Sequence, residues 1–236
     1  MINTVEETGS TNADLAAILR SGETIAEGEW LVAKRQVSGR GRQGRKWEDG
    51  EGNFMGSTVV HLDEKDRING AINLPVSLAL HGAVAEFLAQ PSELMLKWPN
   101  DLLLSGAKLS GVLMELVGND VIVGIGVNLA VAPELDDRET IALSQIGPAP
   151  TRSAFAERLA ECLANELINW RDRGEAPMRD RWLALAHPTG THLTVHDVDG
   201  SKVEGLFEGL EPGGALLLRL ADGESRAIHA GDVLID

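Results

Sequence analysis

The chain has 236 residues, 21 basic against 36 acidic, for a formal net charge of −15. That length allows one large domain or a main domain with a small satellite, and the 43% hydrophobic and 24% charged residues exclude a chain disordered as a whole. The surplus of acid argues against a surface built for duplex DNA, which needs clustered Lys and Arg to neutralise phosphates.

In chain order, the pattern predicts a short helix over 12–19, with Leu15, Ile18 and Leu19 on one side. A strand over 29–33 leads into a glycine- and arginine-rich loop, and a second strand covers 54–62. Residues 75–88 read as a buried helix, apolar nearly all round, with Pro75 in its first turn. Four strands follow at 93–98, 102–104, 109–116 and 121–127, joined by turn-like links that imply antiparallel neighbours. Residues 131–150 lack a pattern and are read as a loop. Residues 151–170 form an amphipathic helix with Phe155, Leu159, Leu163, Leu167 and Trp170 on its apolar face, and 179–186 form a shorter one. After His187-Pro188 the texture changes to five short strands at 192–195, 203–210, 215–220, 225–229 and 233–235, which suits a small closed β-barrel. The expected division is 1–187 and 188–236.

One cysteine, Cys162, excludes an intramolecular disulfide and a cysteine-only zinc site, and the default setting is reducing and cytoplasmic. The six histidines show no metal-ligand spacing. No apolar stretch approaches the roughly 18 residues of a membrane span, and residues 1–14 lack the features of a secretory signal, so no membrane partner is expected.

Three segments carry chemistry. Lys34 to Lys46 holds six basic residues and no acidic ones, which leaves a net −21 on the rest of the chain. Within it, Gly39-Arg40-Gly41-Arg42-Gln43-Gly44-Arg45-Lys46-Trp47 combines close-approach glycines with phosphate-binding guanidinium forks. The same composition also fits a solvated loop or a loose nucleic-acid contact. Lys97-Trp98-Pro99-Asn100-Asp101 places a cation, an amide and a carboxylate around one turn, with Lys108-Leu109-Ser110-Gly111 just beyond. An ordinary hairpin turn and an exposed strand-start lysine read equally well here. In Gly124-Ile125-Gly126-Val127-Asn128, two glycines let a ligand lie against a strand that Asn128 ends. Ser10-Thr11-Asn12 on its own reads as a helix N-cap. Cys162 reads as a buried, inert thiol, and no nucleophile signature is present.

Together, Ser10-Thr11-Asn12, Gln36 with GRGRQGRKW, KWPNDLLL, KLSGVLMEL and GIGVNL resemble the biotin–protein ligases, in that family's order. The resemblance implies an α+β fold: a class II synthetase-like catalytic domain with a mixed, largely antiparallel sheet and helices, plus a small C-terminal SH3-like β-barrel. It implies activation of biotin by ATP with Mg²⁺ to biotinyl-5′-AMP. Biotin then passes to a lysine of the biotin carboxyl carrier protein of acetyl-CoA carboxylase. It places biotin at Ser10, Thr11, Asn12, Gln36, Arg40, Gly41, Arg42 and Lys108. ATP and the adenylate are expected at Arg40, Arg42, Lys97, Asn100, Asp101, Lys108 and Asn128, with Lys108, Arg40 and Arg42 as the catalytic group. Gln43 departs from the family, where a basic residue is common. With the first motif at Ser10, the form expected is one without the N-terminal DNA-binding domain of repressor members, and DNA is not an expected partner. The competing readings are a lipoate or octanoate ligase and a noncatalytic nucleotide- or nucleic-acid-binding module. The sequence leaves open the oligomeric state, a homodimer included, and the magnesium ligands.

Overall fold

The structure is a computed structural model that describes residues 1–69, 71–196 and 201–235. Its main sheet has seven strands: β1 (Ile2–Thr8), β2 (Trp30–Gln36), β3 (Phe54–His61), β4 (Leu94–Lys97), β5 (Asp101–Leu104), β6 (Ala107–Val117) and β7 (Asp120–Val127). They lie in the order β1-β2-β3-β7-β6-β5-β4, antiparallel throughout except for β1 alongside β2. The sequence reading has no strand at β1, a mostly polar edge strand with only Ile2 and Val5 apolar, which pairs only with β2. The helices are α1 (Thr11–Arg20), α2 (Glu64–Asn69), α3 (Asn73–Ala85), α4 (Arg152–Arg173) and α5 (Glu175–Ala184). The short α2 is also absent from the sequence reading.

Strand alternation assigns each face of the sheet its cover. On one face Val60, Val121, Val123, Ile125 and Val127 join the main core with α3 and α4. Helix α3 is buried nearly all round, as its sequence predicts, and α4 contributes the expected stripe from Phe155 to Trp170. Thr151 caps α4 by accepting from the Ala154 amide at 3.2 Å. Phe155 meets Phe54 edge-on at 5.2 Å between centroids. Each large apolar side chain sealed here contributes ~1.5–3 kcal/mol. On the opposite face α1 covers only one end, where Leu15, Ala16 and Ile25 pack on Val59 and Ile122. Beyond α1 that face is bare, and it is where the site lies.

The C-terminal strands are β8 (His192–His196), β9 (Lys202–Leu210), β10 (Leu216–Arg219), β11 (Ser225–Ile228) and β12 (Asp232–Ile235). They form an antiparallel sheet in the order β11-β10-β9-β8-β12. Among the described residues no ladder joins β11 to β12, so the sheet is not closed into the expected barrel. Residues 197–200 and 236, within the expected second unit, lie outside the described residues. This sheet shares the main core: Leu193, Val195, Phe207 and Leu216 cluster with Leu74, Leu96, Trp98 and Trp182. Polar ties cross the same junction. The Trp98 indole donates to the Gly214 carbonyl at 2.9 Å, and the Gly213 amide donates to the Glu175 carboxylate at 3.0 Å. No helix among the described residues is long and apolar enough to cross a membrane.

Candidate active site

Strand β7 measures out the site. Gly124, Gly126 and Asn128 alternate onto the bare face, spanning about 14 Å. Ladder partners define the tiers: Ser57 and Leu113 flank Gly124, and Met55 and Gly111 flank Gly126. A cavity of about 410 Å³ lies over them, lined by residues from every predicted motif. All twelve predicted site residues line it.

The first tier is polar and sealed. Ser10, Thr11, Asn12, Gln36 and Ser57 are all buried. Ser10 sits at the N-cap of α1 but its hydroxyl makes no cap bond, so the cap reading of this motif does not account for it. The Thr11 amide donates to Gln36 Oε1 at 2.8 Å, and the Thr11 hydroxyl lies 3.1 Å from the same atom. Thr11 Oγ1 and Ser57 Oγ are 2.6 Å apart, and Ser57 donates to Asn12 Oδ1 at 2.6 Å. Asn12 Nδ2 donates to Glu115 Oε2 at 2.7 Å and reaches the Leu113 carbonyl at 3.4 Å. The tier depends on Gly124, because a Cβ there would fall 2.0 Å from Asn12 Oδ1.

The second tier is apolar. The Trp47 indole lies over Gly126, where a Cβ would come within 2.3 Å of the ring, and over Gly111, at 3.3 Å. Trp47 comes from the basic loop, which folds as a small hairpin. The Trp47 amide donates to the Gly39 carbonyl at 3.0 Å and the Gly41 amide to the Arg45 carbonyl at 2.8 Å. Gln43 at the tip takes a positive φ of 55°.

The third tier is cationic. Lys97 and Asp101 pair across the β4–β5 turn, and Lys108 Nζ meets Asp101 Oδ1 at 2.7 Å. Lys108 is therefore a half-buried, oriented cation and not the exposed strand-start lysine that its position also allowed. Arg42 Nη1 donates to Asn100 Oδ1 at 3.3 Å, while Asn100 Nδ2 donates to the Val112 carbonyl. The Lys97–Asp101 segment is thus both a hairpin turn and a wall of the cavity. Burial lowers the Lys97 pKa, against the opposing pull of Asp101. Burial also lowers that of Arg42, which stays charged because a guanidinium starts so high. Asn128 Nδ2 faces the Ile141 and Lys108 carbonyls at 3.2 and 3.5 Å, which turns its buried Oδ1 away from any protein donor among the described residues. Arg40 lines the cavity from the exposed side of the loop.

Several lining residues escaped the sequence reading. Ser57 interrupts the apolar run of β3, a visible signal. Glu115, inside the KLSGVLMEL segment, does not line the cavity but accepts from Asn12, and nothing in the sequence singles it out. The patternless 131–150 segment supplies Pro133, Leu135, Asp137, Arg138 and Thr140. Its backbone runs beside β6, with the Lys108 amide donating to the Glu139 carbonyl at 2.9 Å and the Ile141 amide to the Lys108 carbonyl at 3.0 Å. Asp232, Val233 and Leu234 of β12 also line the cavity, and Arg45 of the loop pairs with Asp232.

Residues 9–131 match the family model described as the biotin/lipoate A/B protein ligase family, and residues 190–236 match the biotin protein ligase C terminal domain. A biotin–[acetyl-CoA-carboxylase] ligase of Mycobacterium tuberculosis is 35% identical, over 99% of this chain and 88% of that protein. One from Paracoccus denitrificans is 34% identical, over 90% of this chain and 91% of that protein. Among solved structures, a biotin protein ligase from Aquifex aeolicus in complex with biotin and ATP superposes with a TM-score of 0.80. It is 27% identical, and the match covers 100% of this chain and 98% of that one.

Proposed function

The chain belongs to the biotin/lipoate A/B protein ligase family and is an enzyme of its biotin-ligating branch, and from that premise we propose how its three tiers divide the work. The observation that carries the reading is the sequence of tiers along one strand: sealed polar groups, then an apolar floor, then clustered cations. Biotin has the same order of chemistry, with a ureido ring, an apolar chain and a carboxylate. The ureido ring sits against Ser10, Thr11, Asn12, Gln36 and Ser57, and the chain lies along Gly126 beneath Trp47. The carboxylate meets ATP among Arg40, Gly41, Arg42, Lys97, Asn100, Asp101, Lys108 and Asn128.

The chemistry needs no protein nucleophile. A biotin carboxylate oxygen attacks the α-phosphorus of ATP, and the bond from that phosphorus to the bridging oxygen breaks. Biotinyl-5′-AMP forms and pyrophosphate leaves. Carboxylate and phosphate repel each other, and Lys108, Arg40 and Arg42 supply the compensating charge. The Lys108–Asp101 pair holds the ammonium in place before substrate arrives. Asn128 Oδ1 is an acceptor for a hydroxyl or amine of the nucleotide. In the second step a lysine amine of the biotin carboxyl carrier protein attacks the acyl carbon, AMP leaves and the amine loses its proton. The 38–47 loop shields the reactive anhydride from water until then.

Magnesium fits as a companion of the nucleotide. Such sites draw most ligands from phosphate oxygens and water, with one or two carboxylates from protein. Asp101 and Asp137 line the cationic tier and would supply those carboxylates in exchange for part of their present contacts with Lys108 and Arg138. The ion would add charge neutralisation at the phosphates. A single buried, free Cys162 supports a reducing, cytoplasmic setting, and the net −21 outside the basic segment weighs against DNA as a partner. The extents 1–187 for the catalytic unit and 188–236 for the smaller one belong to the same proposal.

The decisive measurement is pyrophosphate release from the purified chain. Release that needs both biotin and ATP, followed by labelled biotin on a carrier domain, supports the reading. Release with lipoate or octanoate but not biotin would overturn it.

A further inference from the structure

Biotin's ureido ring offers two N–H donors and one carbonyl, so the protein atoms facing it must present the matching polarity. Resting on the assignment of that ring to the polar tier, we propose that Glu115 is a positioning residue that fixes the direction of the hydrogen bonds through Asn12, Ser57 and Thr11. A carboxylate has only acceptor atoms. Glu115 Oε2, 2.7 Å from Asn12 Nδ2, therefore turns the Asn12 amide so that its nitrogen faces Glu115 and the Leu113 carbonyl. Asn12 Oδ1 is left to accept, and Ser57 donates to it at 2.6 Å. Ser57 has then used its single proton. At its 2.6 Å contact with Thr11 Oγ1 it can only accept, so the single Thr11 hydroxyl proton goes to Ser57, the shorter of its two contacts, and not to Gln36 Oε1 at 3.1 Å. One charge thus sets a row in which all hydroxyl protons point toward β6, and the spare lone pairs of Thr11, Ser57 and Asn12 are what the row offers a ligand. These are acceptors for ureido N–H groups. Gln36 is fixed separately, because the Thr11 amide holds its Oε1 at 2.8 Å, which leaves its Nε2 as the complementary donor for a carbonyl.

The position of Glu115 suits this role. It lies two residues beyond Leu113 on the same face of β6, opposite Ile122, past the end of the cavity and not among its lining residues. It acts through Asn12 and is not a catalytic residue. A lysine in its place would reverse the row: Lys donates to Asn12 Oδ1, Asn12 Nδ2 donates to Ser57, Ser57 to Thr11, and the tier offers protons where biotin also offers them.

The test measures KM for biotin and for ATP separately, by pyrophosphate release from the full chain. Glu115→Lys is expected to raise KM for biotin about ten-fold, with KM for ATP within about two-fold of the parent. Desthiobiotin, which keeps the urea but lacks the thioether ring, is expected to lose by the same factor. Asn12→Asp alone sets two carboxylates against each other, whereas Asn12→Asp with Glu115→Gln restores an acceptor facing Ser57. The double variant is expected to recover most of the loss. Glu115→Met serves if the lysine variant does not fold: it removes the direction without reversing it, and a smaller rise in KM for biotin alone, with the melting temperature held, supports the proposal. An unchanged KM for biotin, an equal rise in KM for ATP, or a double variant no better than Asn12→Asp would overturn it. Absence of biotin-dependent release in the parent chain would instead sink the ligase reading itself, so the two failures are distinguishable.

Discussion

The two ends of the cavity are built on opposite plans. At the polar end every group comes from a strand or the start of a helix and is buried, and Thr11, Asn12, Gln36 and Ser57 are tied to one another by hydrogen bonds of 2.6–3.1 Å. At the cationic end Lys97, Asp101 and Lys108 sit at strand ends around tight turns, the arginines come from a hairpin loop and a long connection, and several of these charges remain exposed. On the proposed reading the difference follows from what each end must do. A urea is neutral and is recognised by matched donors and acceptors that lose little by being fixed. Charges gathered without ligand repel one another, so they are held by local carboxylates and by solvent until an anion arrives.

The largest effect that would sharpen this contrast is Lys108→Ala. It is expected to lower kcat for pyrophosphate release about 10²–10³-fold with KM for biotin little changed, since the cation acts where charge develops. Next is His187, which packs edge-on to Phe207 behind Lys97. Both its ring nitrogens are buried without a partner among the described residues. Burial first, and the Lys97 charge second, lower its pKa from 6.5 to about 4. The unfolded chain therefore binds a proton that the folded chain refuses. The His187 contribution to stability is intact above pH 6.5 and is lost as the pH falls toward 4. That loss is on the order of 3 kcal/mol. Denaturant melts at pH 7 and pH 4.5 should show it, and His187→Leu should flatten the slope. A third effect strikes the polar end. Gly124→Ala drives a methyl into Asn12 and is expected to raise KM for biotin on the order of 50-fold, about 2 kcal/mol, while leaving KM for ATP alone. If it affected both substrates equally, the two ends would not be independent. The smallest concerns Arg45 and Asp232, a partly exposed pair at the rim. A double-mutant cycle on the melting transition should give a coupling of only ~0.5 kcal/mol.

Most of the rigid end was legible because strand alternation and motif spacing coincide there. Gly124, Gly126 and Asn128 sit two apart, and period two is what places them on one face. The tight turn at 97–101 was legible for the same reason, since Lys97 and Asp101 are ladder partners. Residues 133–141 were not, because they join β6 through backbone amides and carbonyls, which leave no trace in side-chain pattern. Strand β1 was missed because an edge strand with one neighbour needs little apolar content. The role of Glu115 was invisible because it depends on a contact 103 residues away along the chain, with Asn12. The five C-terminal strands were legible from glycine spacing, but whether their ends meet depends on curvature, which spacing does not encode.

The bond from the Trp98 indole to the Gly214 carbonyl has a consequence for how such chains can be recombined. The turn that carries Lys97 and Asp101 is anchored in the terminal sheet, over a core that runs unbroken beneath both. The segment after Pro188 is therefore not an interchangeable cassette. A hybrid that borrows it from a distant relative must also bring a matching carbonyl and matching apolar contacts to meet Trp98, or the Lys97–Asp101 turn loses its footing although every residue lining the cavity in the first 187 is unchanged.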